Sequence, residues 1–125
     1  MMSTKGYLRA SNLLFAKCRG EFITFQDADD HSDVNRLEKL VNFLQSNSSI
    51  SCVGSNINKV DIEDKVYLTS DFPLEHSQIE NLQFQKSKVV MTGSSLMIRK
   101  EVLAKLVAII CILTDWVLKM YIGIH

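Results

Sequence analysis

The chain has 125 residues, of which 46% are hydrophobic and 22% charged, a size and balance suited to one globular domain with its own core. Lys+Arg and Asp+Glu number 14 each, so the formal charge is zero and there is no electrostatic case for a nucleic-acid partner. The three cysteines, Cys18, Cys52 and Cys111, are far apart and form no C-x-x-C pair, which argues against a zinc site and for reduced, buried thiols in a cytoplasmic protein.

The first predicted element is a helix over Tyr7 to Arg19, where Leu8, Leu14, Phe15 and Cys18 recur at roughly helical spacing and Gly20 can stop it. Phe22-Ile23-Thr24-Phe25 is apolar, aromatic and β-branched, which predicts a short strand, internal in its sheet. The acidic cluster Asp27-Ala28-Asp29-Asp30 follows at that strand's carboxyl end. A second helix is expected over Asp33 to Gln45, capped by Ser32 or Asp33, with Val34, Leu37, Leu40, Val41 and Leu44 as its apolar stripe. Ile50 to Gly54 reads as the next strand.

The polar middle, Asn56 to Ser87, suggests a hairpin near Lys65-Val66-Tyr67-Leu68 and a helix near Glu75 to Leu82. Lys88-Val89-Val90-Met91 and Ser95-Leu96-Met97-Ile98 read as two strands interrupted at Thr92-Gly93, and a further helix should begin near Lys100. The apolar run Leu106 to Leu113 is shorter than the roughly 20 residues a membrane span requires. It reads as a buried strand or helix, with an interfacial membrane anchor as the alternative. The order helix, strand, helix, strand predicts an α/β layering with a partly parallel sheet, in which ligands bind beyond the carboxyl ends of the strands.

Three carboxylates within four residues repel one another unless solvent, a cation or basic groups compensate them. A hard divalent cation takes oxygen ligands and commonly shares them between one or two carboxylates and substrate phosphates. The D-x-D at a strand end therefore suits a metal–diphosphate site. A solvated turn whose acids cap the next helix is the plainer reading of the same residues. His31 beside the cluster reads as a solvated loop histidine, and Gly93-Ser94-Ser95 is too short for a phosphate loop.

The surrounding residues extend the pattern. Arg9-Ala10-Ser11-Asn12, Arg19-Gly20-Glu21-Phe22-Ile23-Thr24-Phe25-Gln26-Asp27-Ala28-Asp29-Asp30 and Arg36-Leu37-Glu38-Lys39-Leu40 together resemble family-2 glycosyltransferases. Val53-Gly54-Ser55 resembles the next strand of that family, and Met91 to Arg99 its later acceptor-side segment. The resemblance covers about residues 6 to 105. It implies an α/β, partial GT-A (Rossmann-like) sheet flanked by helices, and an enzyme of polysaccharide biosynthesis. Such an enzyme transfers a sugar from a nucleotide-sugar donor to a hydroxyl on a saccharide or lipid-linked acceptor.

On that resemblance, Asp29, with Asp27, would hold Mn²⁺ or Mg²⁺, while Arg9, Asp27 and Asp30 would face the donor. Thr114-Asp115-Trp116 faintly resembles the family's late acidic pair, which makes Asp115 the candidate general base. Two departures stand out. Asn35 occupies a position where the family often has proline, and the family's opening base- and ribose-binding strands have no equivalent before Gly6. The expectation is one partial glycosyltransferase domain over residues 1–125 whose transfer activity is impaired, acting in the cytoplasm or at the inner face of the membrane. An open sheet edge would then favour a homodimer. The alternatives are a phosphotransferase of the haloacid-dehalogenase type, with Asp27 as nucleophile, and a non-catalytic remnant or interaction module.

Overall fold

The computed structural model describes residues 4–105. Helix α1 spans Thr4–Lys17, strand β1 Phe22–Thr24, helix α2 Arg36–Ser46 and strand β2 Cys52–Val53. A hairpin follows, made of β3 (Asn58–Val60) and β4 (Val66–Thr69). Helix α3, His76–Glu80, runs into a single wide π turn at Asn81–Gln85. A 3-10 turn at Gly93–Ser95 leads into β5, Met97–Arg99, and residues 100–105 are helical (α4).

The main sheet has the order β1-β5-β2. Both neighbours pair antiparallel with β5, Ile23 and Cys52 each lying opposite Ile98. Thus β1 and β2 run the same way, joined through α2, but β5 lies between them. The predicted parallel relationship is retained as a direction and not as a hydrogen-bonded ladder. Among the described residues β1 is therefore an edge strand and not internal, and Phe25, 45% exposed, lies beyond it.

The core is small. Leu40 and Leu44 from α2 meet Met97 from β5, with Phe22, Val41, Ile50 and Val53 packed around them. Leu44 is fully buried, and Ile23 on β1 is also buried. The stripe predicted for α2 is thus narrower than its sequence suggests. Val34 precedes the helix and is 94% exposed, and Leu37 is half exposed. The helix begins at Arg36 and not at Asp33, with Asn35 as an N-cap that makes no side-chain bond, so neither Ser32 nor Asp33 caps it; Asp33 Oδ1 instead accepts the Asn35 N–H at 2.8 Å in the turn before it.

Neighbouring cations on β5 and α4 close the ends of two helices. Arg99 donates to the carbonyls of Leu44 (2.6 Å), Asn47 (3.2 Å) and Ile50 (2.8 Å), and its guanidinium lies 5.5 Å from the Phe22 ring centroid. Helices leave their last carbonyls unpaired, and a basic side chain both satisfies them and complements the negative end of the dipole. Lys100 donates from Nζ to the Cys18 carbonyl just after α1. That helix ends at Lys17, before Gly20, whose backbone is not left-handed; the predicted glycine stop is replaced by this lysine contact.

Residues 88–91 form no strand, although their composition suggests one. Val90 is buried there, but the ladder position beside β1 is taken by β5. The hairpin and the helix after it stand where predicted, with every strand residue of the hairpin exposed. Cys18 and Cys52 are free thiols, and burial pushes the Cys52 thiol up from its ordinary value.

Candidate functional site

Asp27, Asp29 and Asp30 lie in the loop that leaves β1 at its carboxyl end, as predicted, and all three are exposed. The loop is tightened by a turn in which the Asp30 N–H donates to the Asp27 carbonyl at 3.1 Å. Among the described residues the one salt bridge joins Lys39 to Asp33 at 3.9 Å, both well exposed, so the three clustered acids have no ion-pair partner. Nor do the described residues gather three or more His, Cys, Asp or Glu side chains into a ready metal cage. Among the described residues, no cation lies within ion-pair distance of the loop's carboxylates. That donor set fits a hard cation whose remaining ligands come from phosphate and water rather than from protein.

A chain of side chains fixes this loop. Thr24, the last residue of β1, donates from Oγ1 to the Leu96 carbonyl at 2.6 Å and accepts from Arg36 Nη2 at 3.0 Å. The same nitrogen donates to the Ser94 carbonyl at 2.6 Å, and Arg36 Nη1 donates to Ser32 Oγ at 3.1 Å. Ser32 then donates to Gln26 Oε1, and Gln26 Nε2 donates to the Asp30 carbonyl at 2.8 Å. Arg36 thus ties together the end of β1, the acidic loop and the 3-10 turn before β5.

Sequence reasoning found the acids but gave Arg36 no role beyond its place in the R-L-E pattern. The only local signal was proximity: Ser32 lies four residues before Arg36, in the loop that leads into α2 and not in the helix itself. The contacts of Arg36 with Thr24 and Ser94, 12 and 58 residues away, carry no such signal. Arg9 is exposed on α1 and comes within ion-pair distance of none of the three acids. Asp115 and Trp116, and the apolar run from Leu106, lie outside the described residues.

Gly54 follows β2 and allows the 91–96 segment to approach. A Cβ there would stand 3.2 Å from Leu96 Cδ2 and 3.6 Å from the Met91 Cβ. Ser95 is the buried residue within this segment and donates from Oγ to the Thr92 carbonyl at 2.9 Å.

The molecule is an α/β domain with an open acidic loop at the carboxyl end of a strand. The model of glycosyl transferase family 2 matches residues 2–107, and the chain belongs to that family. Its layered helices and strands are accordingly those of the GT-A fold. Searches of curated proteins and of solved structures returned no match. Membership makes the chain a glycosyltransferase by family and gives no support to the phosphotransferase alternative. Among the described residues, no helix is long and apolar enough to cross a membrane.

Proposed function

We propose that the acidic loop is the diphosphate end of a glycosyltransferase site, which takes a nucleotide-diphosphate sugar and passes the sugar to a hydroxyl on a saccharide or lipid-linked acceptor. The observation that carries this reading is the exposed set Asp27, Asp29 and Asp30 at the end of β1, with no ion-pair partner among the described residues, in a chain of this family. Exposed like charges in one short loop repel, and a bound divalent cation relieves that repulsion while also pairing with diphosphate oxygens. Asp29, with Asp27, would hold Mn²⁺ or Mg²⁺, which when bound neutralises charge on the leaving diphosphate. Asp30 and Asp27 would border the donor. Arg9 would reach toward donor phosphate, for which a guanidinium fork is suited.

Asp115 is the proposed base that takes the acceptor hydroxyl's proton. A cytoplasmic setting, or one at the inner membrane face, fits the free thiols Cys18 and Cys52. The test is calorimetric titration of the chain with UDP and GDP, in Mn²⁺ and then in excess chelator. Binding that vanishes with chelator is expected. Binding that is equal in both conditions, or absent in both, would refute the metal–diphosphate reading.

A further inference from the structure

We propose that Arg36 is the positioning residue of the acidic loop, setting where Asp27, Asp29 and Asp30 stand relative to the strand that carries them. The inference rests on the metal–diphosphate reading of those acids. Arg36 is half-buried, and its hydrogen-bond partners are all neutral: the hydroxyls of Thr24 and Ser32 and the carbonyl of Ser94. A partly buried arginine ordinarily draws a carboxylate to offset its desolvation. Here no carboxylate lies within salt-bridge distance among the described residues, so neutral groups alone hold the guanidinium at the base of a loop that bears three aspartates.

The wiring reaches the acids themselves. From Nη1 it runs through Ser32 and Gln26 to the Asp30 carbonyl, and the Asp30 N–H closes back on Asp27. From Nη2 it anchors to Thr24 on β1 and to Ser94 in the turn before β5. Every partner thus belongs to the loop or to one of its two supports, and none belongs to the Leu40–Leu44–Met97 core. A planar fork holds these directions at once, whereas a lysine ammonium cannot reproduce them together. Small displacements of a charge-stabilising group weaken its interaction steeply, so a loose loop would bind a metal diphosphate poorly even with every acid present.

The experiment compares the full chain with Arg36→Met, Arg36→Lys and Ser32→Ala. Two quantities are read: backbone NMR order parameters for residues 26–33, and the dissociation constant for UDP in Mn²⁺. Wild-type loop values of about 0.85 should fall to roughly 0.6 in Arg36→Met, while residues 40–44 of α2 stay rigid. The dissociation constant should rise about tenfold in Arg36→Met and by a smaller factor in Arg36→Lys. If Arg36→Met fails to fold, Ser32→Ala decides alone, since it cuts the link to Gln26 and leaves the Thr24 and Ser94 contacts in place. An unchanged loop in the decisive variant, or a loosened loop that binds Mn²⁺–UDP as wild type does, overturns the proposal. Failure of wild type to bind Mn²⁺–UDP overturns the functional reading instead, and the order parameters still decide whether Arg36 sets the loop.

Discussion

Arg36 donates to the Ser94 carbonyl at 2.6 Å across 58 residues of sequence, and this bond joins the two stretches in which the family resemblance is densest. One stretch carries the acidic loop, and the other leads into β5, the central strand of the sheet. The sheet order places them side by side, because β5 is hydrogen-bonded directly to β1. A family pattern spread along the chain is thereby gathered at one end of β1.

The cation that closes α2 should be worth more than a surface charge. Arg99→Met removes three donated bonds to Leu44, Asn47 and Ile50 and leaves the Leu44 and Asn47 carbonyls with only their backbone donors, the N–H groups of Asn47 and Ile50. A loss of about 2–3 kcal/mol in urea unfolding is expected, by the usual worth of hydrogen bonds to charged groups. By contrast, Lys39→Met breaks only an exposed ion pair and should change stability by less than about 0.5 kcal/mol.

The fully buried Leu44 is the most sensitive core position. Leu44→Ala should lower stability by about 3 kcal/mol, from lost burial and the cavity left between α2 and β5. Equilibrium denaturation measures this. The same change at exposed Leu14 should be nearly silent.

Gly54 is held to a small residue by the segment opposite. Its φ is not in the left-handed region, so only space is at issue. Gly54→Ala asks the Leu96 side chain to give by a few tenths of an ångström and should be tolerated. The branched side chain of Gly54→Val would meet Leu96 and Met91 together, with an expected loss of about 1–3 kcal/mol from overpacking. Thermal unfolding of the two variants separates these outcomes.

Much of this arrangement was legible in the sequence. Ile23, Leu40 and Leu44 sit where strand and helix periodicity put them, and the acids stand just beyond β1 because the apolar and β-branched run ends at Phe25 and polar residues begin at Gln26. What escaped was non-local. Nothing in Val89-Val90-Met91 reveals that β5 takes the ladder position beside β1. Nothing local tells that Arg99 and Lys100 would close the helices ending at Ser46 and Lys17, since those contacts span about 50 and 82 residues. Arginine at a helix start reads as a solvated charge until the fold brings Thr24 and Ser94 to it.

Burial makes the Cys52 thiol harder to ionise. The folded chain therefore holds this proton more tightly than the unfolded chain does. The associated stability is present below the ordinary thiol range and is lost as pH rises through the raised value. Alkylation of Cys52 by iodoacetamide at pH 8 should be slower in the native chain than in urea, and mass spectrometry of the labelled peptide reads this directly. Equal rates in the two conditions would show that the thiol is not shielded.

The central claim is that Asp29 and its neighbours serve a metal-bound diphosphate, and Mn²⁺ titration in the presence of UDP tests it most directly. Wild type is compared with Asp29→Asn, which keeps the side chain's shape while removing its charge, and with Asp33→Asn as a control outside the cluster. The account predicts that Asp29→Asn weakens metal-dependent binding by at least about tenfold, as expected for loss of a charged oxygen ligand. Asp33→Asn should bind like wild type. Equal affinity for wild type and Asp29→Asn, with both chains folded, would contradict it.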